Sequence, residues 1–172
     1  MASADLFADQ CYVIDTSSLV DIHQQEEDDP RVWQGIFGLI QVGRLRTVRY
    51  AFDELENIAT GGRLPDFPLG RLGRLKELKR QFVVQSEELA PIAGRLVYEN
   101  PSIRDWRQKD NAADPWIIAA GKLYGWRVVT QENDTGRRAK KRIPWVCDQQ
   151  RPKVKWIRLR DLIENENFFA TK

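Results

Sequence analysis

The chain has 172 residues, 42% of them apolar, which is enough for a single domain over 1–172 with a substantial core. No apolar run approaches the roughly 20 residues of a membrane-spanning helix. A net charge of +2 conceals an asymmetry: residues 1–30 hold eight Asp/Glu and no Lys/Arg, whereas the remainder holds 27 Lys/Arg against 17 Asp/Glu. The pattern suits a site that gathers cations beside a surface that gathers polyanions, with an unevenly sampled polar surface as the plain alternative.

In chain order, YVI at 12–14 reads as a short buried strand that runs into Asp15. Thr16, Ser17 and Ser18 offer N-caps for a helix reaching about His23. The acidic EEDDP is a loop, after which Trp33, Ile36, Phe37 and Ile40 recur at i, i+3, i+4 and i+7. That spacing predicts an amphipathic helix, ended by Gly43. LRTVRY at 45–50 predicts a second strand, and FDELENIA a helix stopped by Gly61 and Gly62. Leu72, Leu75 and Leu78, with Arg71, Arg74, Lys76, Lys79 and Arg80 between them, predict a basic amphipathic helix. Ser86 can cap a helix to about Glu99, limited by Pro101. AADPWIIAAGKLYGW at 112–126 predicts a largely buried helix with Pro115 near its start. RVVT at 127–130, IPWVC at 143–147 and VKWI at 154–157 predict short strands, and 159–166 a closing helix. Strands alternating with helices predict an α/β fold of three layers, α/β/α, around a mostly parallel twisted sheet.

In such sheets ligands gather beyond the carboxyl ends of the strands. Asp15 follows the first strand, Glu54 follows the second, Asp114 opens the buried helix, and Glu132, with Asp134 near it, follows VVT. Singly, each has a structural explanation as a cap, a first-turn charge or a loop charge. Together they predict carboxylates converging on one edge, where mutual repulsion calls for a cation. Oxygen-only donors point to Mg²⁺ or Mn²⁺. The opening MASADLFADQ lacks the basic and apolar regions of a secretory signal. Two cysteines without ligand spacing make neither a disulfide framework nor a thiolate site. A reduced, cytoplasmic setting is therefore expected.

The blocks YVIDTSSLVDI, VRYAFDELE, ADPWIIAAG and VVTQE, in this order, resemble the signature of PIN-domain ribonucleases. Many of those are toxins of bacterial toxin–antitoxin pairs. The resemblance runs from Tyr12 to the terminal helix. It implies a PIN-like fold and metal-dependent hydrolysis of RNA phosphodiesters. Its first acid matches Asp15, with Thr16 and Ser17 as hydroxyl neighbours. Its glutamate matches Glu54, with Asp53 and Glu56 as nearby competitors, and its central aspartate matches Asp114. The usual T-x-D appears here as Thr130-Gln131-Glu132, which resembles a subgroup with T-x-E and leaves Glu132 and Asp134 as alternatives for the fourth acid. Asp110 could join as an outer ligand. The resemblance further implies an antitoxin partner and a homodimer.

RRAKKR at 137–142 places Arg137, Arg138, Lys140, Lys141 and Arg142 directly after the fourth acidic segment, where they suit contact with RNA phosphates. The cations at 71–80 would supply a second cluster. Among six tryptophans, Trp33, Trp116 and Trp126 are expected in the core. Trp106 and Trp145 flank the site in sequence; core packing is expected of both, with stacking on an unpaired base as the alternative. His23, the only histidine, is expected to be structural. Two further readings stay open. One is a non-catalytic PIN-fold module that binds RNA or acts as a scaffold. The other is a phosphotransferase of haloacid-dehalogenase type, which would want a second acid where Ser17 stands.

Overall fold

A computed structural model of the chain describes residues 10–24, 29–61, 69–84, 87–103, 113–132 and 142–169. The strands are β1 (Tyr12–Ile14), β2 (Leu45–Val48), β3 (Val83–Val84), β4 (Arg127–Val129) and β5 (Trp156–Ile157). They form one sheet in the order β3-β2-β1-β4-β5, and every pairing is parallel. The helices are α1 (Thr16–Gln24), α2 (Pro30–Gln41), α3 (Arg49–Thr60), α4 (Leu69–Glu77), α5 (Lys79–Phe82), α6 (Leu89–Glu99), α7 (Asp114–Tyr124), α8 (Ile143–Gln149) and α9 (Leu159–Asn165). Among the described residues no helix is long and apolar enough to cross a membrane.

Strand alternation sorts the core into two layers. Tyr12 and Ile14 of β1 point to one face, where they meet α1, α2, α3, α4, α5 and α9. Val13 points to the other, where it meets α6, α7 and α8. This is the three-layer α/β/α arrangement expected from the alternation of strand and helix patterns. Because both faces are covered, β1 is apolar on both faces rather than alternating.

Local chemistry sets most element ends. Asp29 accepts the Arg31 N–H at 2.8 Å ahead of Pro30, capping α2. Gly43, at φ +75°, lets the chain leave α2 through a left-handed residue and enter β2. In α7, Gly121 lies against β4. A Cβ there would stand 2.8 Å from Val128 and 2.9 Å from Val154, so only glycine allows the approach.

Several expected elements differ. IPWVC forms helix α8 rather than a strand: Pro144 sits in its first turn, and the carboxylate of Glu132 accepts the Ile143 N–H at 2.9 Å. The second strand ends at Val48, and Arg49 and Tyr50 already belong to α3. The basic region is broken at Leu78 into α4 and α5 and then yields β3, an edge strand too short to show a sequence period. Ser86 lies outside the described residues.

Candidate functional site

The strand order reverses at β1: β2 and β3 extend to one side of it, β4 and β5 to the other. A crevice therefore opens beyond the carboxyl ends of β1 and β4. Asp15 sits at that point, the residue after β1 and the one before α1. Its Oδ1 accepts the Ser18 N–H at 2.8 Å, so Asp15 itself caps α1, in place of the hydroxyl residues expected there. Its Oδ2 accepts the Ser17 hydroxyl at 2.7 Å and the Thr130 hydroxyl, from the end of β4, at 2.6 Å. The residue is 5% exposed. Burial pushes its pKa above the usual carboxylate value, and the bonds from Ser18, Thr130 and Ser17 oppose that rise in part.

Glu54 joins this aspartate to the next acid. Its Oε2 accepts the Thr16 hydroxyl at 3.0 Å, and its Oε1 the Ala113 N–H at 3.3 Å. Thr16 follows Asp15 and Ala113 precedes Asp114, so one carboxylate fixes two segments 97 positions apart in sequence relative to each other. Asp114, 8% exposed, is the first residue of α7. The three acids of DELE separate cleanly. Asp53 pairs with Arg49 at 3.6 Å, and Glu56 pairs with Lys76 at 2.9 Å and Lys79 at 3.7 Å. Only Glu54 turns toward the Asp15 and Asp114 segments.

Glu132 is occupied differently. Its Oε1 takes the Arg142 guanidinium at 2.6 Å and its Oε2 the Ile143 N–H, while its own N–H donates to the Thr130 hydroxyl at 3.2 Å. It ties the exit of β4 to the start of α8, a structural role that T-x-E by itself did not reveal. The longer glutamate reaches a helix N-terminus that an aspartate would fall short of. Thr130 is 0% exposed, and its hydroxyl bridges Asp15 and the Glu132 backbone. Thr16 is also buried and braces Glu54 and the Ala51 carbonyl. Of Thr16, Ser17 and Thr130, the three hydroxyl residues that the resemblance offers for substrate contact, Ser17 alone is exposed.

Asp110, Asp134, Trp106, Arg137, Arg138, Lys140 and Lys141 lie outside the described residues, as does the side chain of His23. The second basic cluster is largely committed within the fold. Arg74 pairs with Glu77 at 2.5 Å, Lys76 and Lys79 with Glu56, and the Arg71 guanidinium stands 5.0 Å over the Trp33 ring. Trp33 is buried in the core, whereas Trp116, Trp126 and Trp145 pack partly buried against it. Cys147 is buried, and burial pushes its thiol well up, which disfavours the thiolate.

The donor set at the crevice is carboxylate and hydroxyl oxygen, which fits a hard divalent cation. Among the described residues no three His, Cys, Asp or Glu side chains are grouped to hold an ion by themselves. Mg²⁺ suits such a place, since it is commonly held by one or two carboxylates and keeps several waters.

The fold and crevice define a doubly wound, all-parallel α/β protein with buried acids at its switch point. Within that class, the chain belongs to the family described as domain of unknown function DUF4411, whose model matches residues 12–169. It is similar in fold to the crystal structure of PAE2754 from Pyrobaculum aerophilum, at 14% identity and a TM-score of 0.55, over 92% of this chain and 97% of that one. No curated protein matches it.

Proposed function

We propose that this protein is a PIN-type ribonuclease that hydrolyses RNA phosphodiester bonds with Mg²⁺ or Mn²⁺, and that it is the toxin of a bacterial toxin–antitoxin pair. One observation supports the nuclease reading: Asp15 and Asp114 are both buried, and the carboxylate of a third acid, Glu54, accepts a hydrogen bond from the neighbour of each. A buried carboxylate is a costly thing to keep, and burial already raises the pKa of Asp15. A cation that favours its ionised form gives that burial a use. The toxin assignment and its antitoxin partner rest on the resemblance of the four motif blocks.

In this reading Asp15 and Asp114 hold the cation, directly or through water. Glu54 sets their separation through Thr16 and Ala113. Ser17 and Thr130 fix the orientation of the Asp15 carboxylate, and Glu132 holds Thr130 in register through its own N–H. When bound, the metal lowers the pKa of a coordinated water and offsets charge on the phosphate oxygens. The cations preceding Arg142 in sequence would meet flanking phosphates, Arg142 itself being held by Glu132.

The test is incubation with mixed single-stranded and structured RNA, with Mg²⁺, Mn²⁺ or chelator, beside Asp114→Asn. Metal-dependent cleavage that the near-isosteric variant loses, at unchanged circular dichroism, is expected. Equal cleavage by the variant removes the site. Expression in a bacterial host should arrest growth for the wild type and not for the variant if the toxin assignment holds.

A second reading, a non-catalytic RNA-binding or scaffold module, draws on a specific observation. Both oxygens of Glu54 and both of Glu132 are engaged within the protein. RNA binding without cleavage under any metal would favour it.

A further inference from the structure

On the same edge of the sheet as Asp15, the ends of β2 and β3 open into a cleft of about 500 Å³ lined by Val48, Arg49, Tyr50, Val84, Glu87 and Trp116. Tyr50 and Trp116 form an aromatic pair in its wall, with ring centroids 4.9 Å apart and planes tilted by 33°. Tyr50 is 45% exposed, so part of its ring is accessible from the cleft. Both rings are tied to the crevice by short covalent paths. Tyr50 lies one helical turn before Glu54 on α3, and Trp116 lies two residues after Asp114 on α7. Tyr50 and Glu54, four residues apart, share one face of α3, which sets the cleft alongside the Glu54 end of the acidic group.

We propose that the Tyr50–Trp116 cleft is a stacking subsite for one unpaired nucleobase of the RNA substrate. Its lining favours a base over a phosphate. The lining holds one cation, Arg49, and that guanidinium is paired with Asp53 at 3.6 Å, while Glu87 adds a negative charge that disfavours a phosphate. The remaining lining is apolar or aromatic. A base in a duplex cannot present its face to Tyr50, so the subsite selects single-stranded RNA. The subsite deepens the ribonuclease reading and rests on it for its choice of ligand.

Binding of fluorescently labelled ten-nucleotide RNA, single-stranded or duplex, to the full chain in chelator measures the subsite without cleavage. Tyr50→Ala should weaken single-strand binding about ten-fold, leave duplex binding unchanged, and leave the salt dependence of single-strand binding unchanged, because no phosphate contact is removed. Tyr50→Phe should bind as wild type. Undiminished single-strand binding by Tyr50→Ala, equal losses on both RNAs, or a wild type that binds neither RNA would overturn the proposal. Cleavage is scored separately. A wild type that cleaves RNA while Tyr50→Ala binds normally loses the subsite and keeps the nuclease. Tyr50-dependent binding without cleavage under any metal keeps the subsite and loses the nuclease.

Discussion

Replacing Asp15 by Asn tests whether the acid at the switch point is held against its own stability. Asn is as good an N-cap as Asp, so the bond from the Ser18 N–H to Oδ1 survives. The bonds from Ser17 and Thr130 to Oδ2 are replaced by bonds in which the new amide donates and the hydroxyls accept. Each loses its charge assistance, roughly 1 kcal/mol apiece. Against about 2 kcal/mol of loss stands the removal of a buried charge, which costs several kcal/mol in a protein interior. The net expectation is a gain of about 1–2 kcal/mol at pH 8, or roughly 2–8 °C in Tm for a chain of this size. The pH dependence follows from the raised pKa. A carboxyl that holds its proton more tightly when folded favours the fold at low pH. That contribution is lost as pH rises from its ordinary 3.8 through the raised value. The Tm advantage of the variant should therefore be small at pH 4 and grow toward pH 8. Saturating Mg²⁺ at pH 8 should raise the wild-type Tm and leave the variant where it was. Calorimetry across pH, with and without Mg²⁺, reads all three. A variant less stable than wild type at pH 8, or a difference that does not change with pH, would refute the claim that the ionised Asp15 is a burden on the ligand-free fold.

Other perturbations probe the supports around the site. Glu132→Gln should keep the bond from the Ile143 N–H and lose the Arg142 ion pair, costing about 1 kcal/mol in urea unfolding; Glu132→Ala should cost more, and cleavage that survives in Glu132→Gln would mark Glu132 as a helix tie rather than a metal ligand. Tyr12→Phe removes the 2.7 Å bond from the Tyr12 hydroxyl to Glu166, which still holds Arg44 at 2.7 Å, and should destabilise by about 1.5–3 kcal/mol with an unchanged m-value. Gly121→Ala forces α7 away from Val128 and Val154, and a loss of about 1–3 kcal/mol by the same assay is expected.

The sequence by itself determined the layers. Val13 and Ile14 of YVI, and Val128 and Val129 of RVV, put β-branched apolar side chains on both faces, and these strands alternate with amphipathic helices, which a covered parallel sheet requires. It also brought out Asp15, Glu54 and Asp114, because an acid directly after a strand or at the head of a buried helix breaks the local pattern. It could not separate Glu54 from Asp53 and Glu56. All three lie within one turn of helix, and the choice depends on whether the facing side chain is Thr16, Arg49 or Lys76. The tertiary structure alone showed the partners of Glu132, Arg142 and Ile143, which lie ten and eleven residues away across a loop. It alone turned IPWVC into a helix, since a seven-residue helix is too short to display a period and owes its start to that distant carboxylate. It alone set Tyr50 beside Trp116, from helices 66 positions apart in sequence. Periodicity records which way a residue faces relative to its neighbours in the chain, whereas a site is made by residues that the chain brings together from far away.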